Sequence, residues 1–284
     1  MSDFHSFAIA HGLQIDRLYP ADRVQRCATI DKPRGKNGAF FWDGLRGWVS
    51  DWAQGGDINW FEGGEKKAFT EEQRKAWAER KRATESRQED GWKKAAITAS
   101  LLLRDTEIKE HNYLHSKGLG GCLGLVDADG ALIVPMRNAH TNELQGAQRI
   151  VWLTEERKYE KKMLTGMRAK GAVLRLGPQR AQETIYCEGY ATGLSIELAA
   201  RQMRLSAAVM VCFSDQNMAQ VAMSIKGRGY CFADNDKSGA GERAAKASGL
   251  PYCMSDIEGQ DANDLHKTGG LMAVSKFLMA ARRM

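Results

Sequence analysis

The last third of the chain alternates short apolar runs with stretches of helical periodicity. TIYC (184–187), AAVMVCF (207–213), GYCFA (229–233) and LPYCM (250–254) have the length and composition of buried strands. Positions 191–203, 216–224, 239–248 and 269–281 read as helices, the last placing Leu271, Val274 and Leu278 on one face. Buried strands alternating with helices predict a parallel sheet covered on both faces, with right-handed crossovers. Further upstream, ALIVPMR and LQGAQRIV within 131–151 read as two strands joined by a polar turn, and 172–176 as a third. A helical stretch is expected over 92–116.

The first third is patterned differently. Positions 38–64 alternate aromatic and polar residues between glycines, which suits short strands in hairpins. Trp42, Trp48, Trp52 and Trp60 lie here. Large side chains fill the interior of a small module, and an aromatic face also stacks single-stranded bases; the pattern leaves both readings open. From Lys66 to Lys94 there is no proline, and ten basic residues stand against six acidic ones, with pairs such as Glu71 and Lys75 four apart. This predicts an exposed connecting helix. The implied organisation is a Trp-rich β-containing module over 1–65, a charged helical connector over 66–95, a basic mixed α+β subdomain over 96–180 and the parallel-sheet domain over 181–284.

Composition narrows the class. The 284 residues are 43% hydrophobic and 27% charged, within the range of ordinary globular proteins. The longest apolar run, Ala207 to Phe213, is far short of the roughly twenty residues a membrane span needs. The first residues, MSDFHSFAIAHGL, lack the charge and apolar stretch of a secretory signal. The six cysteines are scattered and never spaced C-x-x-C, so neither a zinc ribbon nor a disulfide framework is expected, and the chain reads as cytoplasmic. A net charge of +6 permits a polyanionic partner without demanding one. The basic residues Arg149, Lys158, Lys161, Lys162, Arg168 and Lys170 predict a basic surface beside the C-terminal domain.

In parallel α/β sheets the chemistry sits at the carboxyl ends of the strands. Those ends carry Glu188-Gly189 after the first strand, Asp234-Asn235-Asp236 after the third, and Asp261 and Asp264 in the loop after the fourth. Singly, each serves as well as a turn or cap residue. Together they repel one another unless a cation lies between them. Magnesium, with oxygen ligands and a preference for carboxylates plus substrate phosphates, is the usual one. The pattern points to phosphoryl transfer.

The strings IYCEGYATGLSIELA (185–199), YCFADNDKSGAGERAA (230–245) and GQDANDLH (259–266) resemble the Toprim domain, marked by Glu-Gly after its first strand and Asp-x-Asp after its third. HNYLHSKGL (111–119), ALIVPMRN (131–138), LQGAQRI (144–150) and KKMLTGMRAKGAVLRLG (161–177) are similar to the region preceding Toprim in primases of conjugative plasmids and temperate phages, and WVSDWAQGGDINWFEG (48–63) to the start of such proteins. The resemblance implies a Rossmann-like Toprim domain over 181–284, preceded by a primase-type subdomain of the catalytic core over 96–180. It implies a phage or plasmid DNA primase making short RNA primers on single-stranded DNA by metal-dependent nucleotidyl transfer.

In that reading Glu188, Asp234 and Asp236 are catalytic. With Asp261 they hold Mg²⁺ or Mn²⁺, and Asp264 is a further acidic candidate. Arg149, Lys161, Lys162 and Lys170 are candidates for contacting ribonucleoside triphosphates and template. Replicative primases generally begin with a zinc module, but no suitable Cys or His cluster occurs, so no zinc is expected; His111 and His115 read as surface or cap residues. No G-x-x-x-x-G-K-[ST] loop occurs, so a helicase partner is a separate chain. Two alternatives remain: a Toprim nuclease using the same acids, and a non-catalytic module that binds single strands or loads a helicase.

Overall fold

A computed structural model describes residues 3–44, 46–51, 57–61 and 71–284. Trp52 and positions 66–70 of the charged segment lie outside the described residues. The chain divides into two compact units, Met1–Trp77 and Ala78–Met284.

In the first unit, helix α1 (Phe4–Ala10) starts at Asp3, whose side chain accepts from Ser6 N at 2.7 Å. The strands β1 (Leu13–Gln14), β2 (Ala21–Thr29), β3 (Gly38–Trp42), β4 (Gly47–Asp51) and β5 (Asn59–Phe61) form an antiparallel sheet in chain order. Phe4, Ala8, Leu13, Ile15, Phe40 and Val49 make its core. The ring of Phe4 stacks on Trp42 at 4.6 Å. A Cβ on Gly47 would stand 2.2 Å from the Phe4 ring, so only glycine lets the helix settle there. Trp42 is thus a packing residue, whereas Trp60 is 61% exposed.

The second unit is built on one mixed sheet. After α2 (Glu71–Arg104) come β6 (Glu107–Lys109), α3 (Asn112–Ser116), β7 (Gly124–Val126), β8 (Leu132–Asn138), β9 (Leu144–Leu153), β10 (Lys158–Met163) and β11 (Ala172–Leu176). Then β12 (Glu183–Cys187), α4 (Tyr190–Gln202), β13 (Ala207–Val211), α5 (Asp215–Ser224), β14 (Arg228–Ala233), α6 (Ala240–Ala247), β15 (Tyr252–Met254) and α7 (Ala262–Arg282) complete it. The sheet order is β10-β9-β8-β11-β13-β12-β14-β15, with β6 and β7 added beside β8. From β13 to β15 all pairs are parallel, and β11 joins this half antiparallel to β13.

Period-two alternation sends Ile185, Cys187, Val209 and Phe232 to one face, under α4 and α7. Tyr186, Met210 and Cys231 go to the other, under α5 and α6. The C-terminal domain is therefore the α/β sheet with helices on both faces that the apolar runs predict. At its far end Arg282 Nε donates to both carboxylate oxygens of buried Glu183 at 2.9 Å, fastening α7 to the start of β12.

Two local readings change, and one basic segment takes a definite form. The helix expected over 92–116 ends at Arg104: Thr106 Oγ1 donates to Leu103 O at 2.8 Å, and Ile108 then pairs with Leu125 as part of β6. The segment KYEKKM is a strand, its charges suiting an exposed sheet edge. The final helix begins at Ala262 and breaks at Gly270 (φ 68°), so 269–281 is roughly its second half.

A candidate acidic site at the strand ends

The order β13-β12-β14 makes β12 the strand where successive crossovers part to opposite faces, and Glu188 follows its last residue. Gly189 then caps α4. The backbone around Glu188 is fixed from the next strand: Cys212 N donates to Cys187 O, and Phe213 N to Glu188 O, both at 2.8 Å. Phe213 makes this turn with φ at 64°, a left-handed conformation unusual for an aromatic residue. The turn delivers Ser214 to cap α5, with Oγ accepting from Asn217 N at 3.3 Å, and places Asp215 in the helix's first turn.

Asp215 lies against Glu188. Burial first, then the hydrogen-bonding and charge of Asp215, then the charges of Asp234 and Asp236, push the Glu188 carboxyl up to about 8. Asp234 is pushed up to about 7, again by burial first and then by Asp261, Asp215, Asp236 and Asp264. Asp215 is the member of the cluster that the sequence reading missed. It follows the second strand, where Ser-Asp reads as an ordinary helix cap.

The other acids are built differently. Asp236 Oδ1 accepts from Ser238 N at 2.6 Å, and hydrogen bonding by the Ser238 side chain first, then by the backbone amides of Ser238, Gly241 and Ala240, holds its carboxyl below the usual carboxylate range. Asp261 and Asp264 lie not in a loop but at the start of α7, where they form a reciprocal cap: Asp264 N donates to Asp261 Oδ1 at 2.9 Å and Asp261 N to Asp264 Oδ2 at 3.4 Å. The second oxygen of Asp261 accepts from Thr192 Oγ1 at 2.9 Å. Nearby, Asn263 Nδ2 donates to Lys117 O at 2.8 Å and to Ser195 Oγ at 3.0 Å, so the HNYLHSKGL segment anchors the start of α7. Within that segment His111 caps α3 and His115 faces Glu110 at 3.2 Å.

The basic candidates are not gathered at these acids. Lys161 and Lys162 are on β10, five strand steps from β12, which at about 4.8 Å per step is roughly 24 Å. As neighbours on a strand they project to opposite faces: Lys161 reaches the Tyr113 ring at 5.5 Å, while Lys162 meets Glu160 at 2.9 Å. Arg149, cross-strand from Lys162, is held by Asp127 at 2.9 Å and Asp129 at 3.4 Å. Lys170 alone stands at the acidic edge of the sheet, one residue before Gly171. There buried Asn217 accepts from Gly171 N at 2.7 Å and donates to Ala172 O and Cys212 O at 2.8 Å.

The donor set is all oxygen, which suits a hard divalent cation. Asp234 Oδ1 and Asp215 Oδ1 are buried with no hydrogen-bond partner, as atoms awaiting a cation would be. Among the described residues no three His, Cys, Asp or Glu side chains already converge on one point. A cation held there would need Glu188 and Asp234 in their ionised forms.

Residues 183–271 match the Toprim domain family, and the C-terminal part of this fold is a Toprim domain. A chain from the structure of bacteriophage T7 lagging-strand DNA polymerase interacting with primase domains of two gp4 subunits bound to an RNA/DNA hybrid and dTTP aligns with 11% identity and a TM-score of 0.41, covering 63% of this chain and 92% of that one. No curated protein matches the sequence.

Proposed function

We propose that this chain is a DNA primase of phage or plasmid type, joining ribonucleotides into short primers on single-stranded DNA. The observation that carries the reading is the cluster of carboxyls Glu188, Asp234 and Asp236 at the ends of adjacent parallel strands in a Toprim domain, the first two raised by burial and by their acidic neighbours. The primase-like sequence over 111–177 supports polymerisation over the other chemistries of such a site.

Glu188, Asp234 and Asp236 would hold Mg²⁺ or Mn²⁺, which supplies charge neutralisation at the reacting phosphate. Asp236, held ionised by hydrogen bonds from the Ser238 side chain and nearby backbone amides, is the first anionic anchor. Asp261 acts mainly by capping α7, with a metal contact as its second role, and Asp264 supports it. Glu188 holds a proton at neutral pH while the site is empty; once ionised it accepts one from the attacking 3′-hydroxyl. Asp215, hydrogen-bonded to Glu188, orients it. In this reading Lys170 is assigned to the triphosphate, and Lys161, Lys162 and Arg149 to the template backbone. Single-stranded DNA, ribonucleoside triphosphates and a separate helicase are the partners this implies. Among the described residues no helix is long and apolar enough to cross a membrane, and a cytoplasmic setting follows from the replication role.

The test is synthesis on an unprimed single-stranded template with four ribonucleotides, one labelled, and Mg²⁺ or Mn²⁺. Short labelled products from the wild type that vanish in Asp234→Ala are expected. Shortening of a labelled strand without nucleotides would instead identify a nuclease, and template binding with neither activity a non-catalytic loading module.

A further inference from the structure

The sheet of the first unit has two faces, and one of them packs against α1. Strand register places Phe40 opposite Val49, and Trp42 opposite Gly47 and Phe61, on the side packed by α1. The intervening positions point the other way. There Phe41 pairs with Trp48, and Trp48 with Trp60, so three aromatic residues form one row across β3, β4 and β5. Adjacent members are about 4.8 Å apart along the backbone ladder. Trp60 is 61% exposed, and Phe41 and Trp48 are half-buried. The next row on this face is Arg26, Ala39 and Ser50, and because Ala39 and Ser50 are buried the accessible part of the face is the aromatic row, with Trp60 at its edge. The turn joining β2 to β3 at that end carries exposed Lys32, Arg34 and Lys36 against a single acid, Asp31.

We infer that this face is a binding platform for single-stranded nucleic acid, with unpaired bases stacking on Trp60 and Trp48 and the phosphates running toward the Lys32–Lys36 turn. A flat aromatic row takes any base, because every base has a π face, and a neighbouring basic turn attracts the backbone. Duplex DNA hides its base faces and gains nothing from such a row. The excess of basic over acidic residues in that exposed turn favours a polyanion over a basic protein surface. The Trp-rich segment is thereby divided in use: Trp42 fills the core, and Trp48 and Trp60 form the platform. The inference deepens the proposed function, since the ligand is its template, but its test reads binding alone.

The experiment measures anisotropy of a labelled oligothymidylate with the full chain, without nucleotides or divalent cations. Trp60→Ala should weaken binding about tenfold, Trp60→Phe should keep most of it, and the salt dependence should be the same in both. Lys36→Ala should reduce the salt dependence. Because Trp60 is exposed, an unchanged circular-dichroism melt is expected for Trp60→Ala. Binding by Trp60→Ala equal to that of the wild type would overturn the inference, as would a wild type that holds single and double strands alike or neither. Oligonucleotide binding that depends on Trp60, in a protein that makes no primers, would leave the platform standing and remove the polymerase reading.

Discussion

The hydroxyl of Thr192 donates a 2.9 Å hydrogen bond to Asp261 Oδ2, joining the first turn of α4 to the cap of α7 across the acidic edge. Thr192 is 1% exposed, so water does not replace a lost hydroxyl. Thr192→Val, which keeps the shape, is expected to lower the unfolding free energy by about 2 kcal/mol, the range for a hydrogen bond to a charged group. Thr192→Ser should restore most of it. Urea denaturation of the two variants checks this, and equal stability of Thr192→Val and wild type would show that the bond does not hold the two helices.

The carboxyls also set how stability depends on pH. Glu188, ordinarily near 4.5, stands at about 8 in the folded chain, and Asp234, ordinarily near 3.8, at about 7. The folded state therefore binds these protons more tightly than the unfolded chain. Below both ordinary values the two states are equally protonated, and as pH rises from about 4 to about 8 stability is lost. In chelator, unfolding free energy should decline over that window, less steeply in Asp215→Asn, and saturating Mg²⁺ should flatten the decline. A rise over the same window in chelator would contradict the arrangement.

Gly241 offers a purely steric test. A Cβ there would stand 2.4 Å from Asp234 O, which is backbone and cannot swing aside. Gly241→Ala should push the start of α6 off the Asp234 loop, costing about 2 kcal/mol or more and also loosening the amides that hold Asp236. Measured stability and divalent-cation affinity should fall together. A variant with wild-type values for both would mean that the loop yields easily.

Much of the C-terminal domain was legible because its strands are buried on both faces and read as plain apolar runs. The acids after β12 and β14 were legible because no apolar pattern explains them. Asp215 was not, because a Ser-Asp pair ahead of a helix has a sufficient local meaning as a cap. Nor was the Thr192–Asp261 bond, since 69 residues separate its partners. KYEKKM, a mix of strand-like and turn-like positions in the sequence, is a strand at a charged sheet edge, which lacks the apolar alternation that identifies inner strands. The basic candidates were sound as residues but not as a group. One step along β10 reverses the face, and sheet order, which spacing does not reveal, sets the strand some distance from the acids.

The most direct test of the central claim, that these carboxyls form a divalent-cation site, is calorimetric titration of Mn²⁺ into the full chain at neutral pH in buffers of different ionisation heat. The wild type should bind the cation and release protons from Glu188 and Asp234, so that the observed heat changes with buffer, and Asp234→Asn should lose both binding and release. A wild type that takes up no cation, or a variant that binds with the same affinity and proton count, would contradict the account.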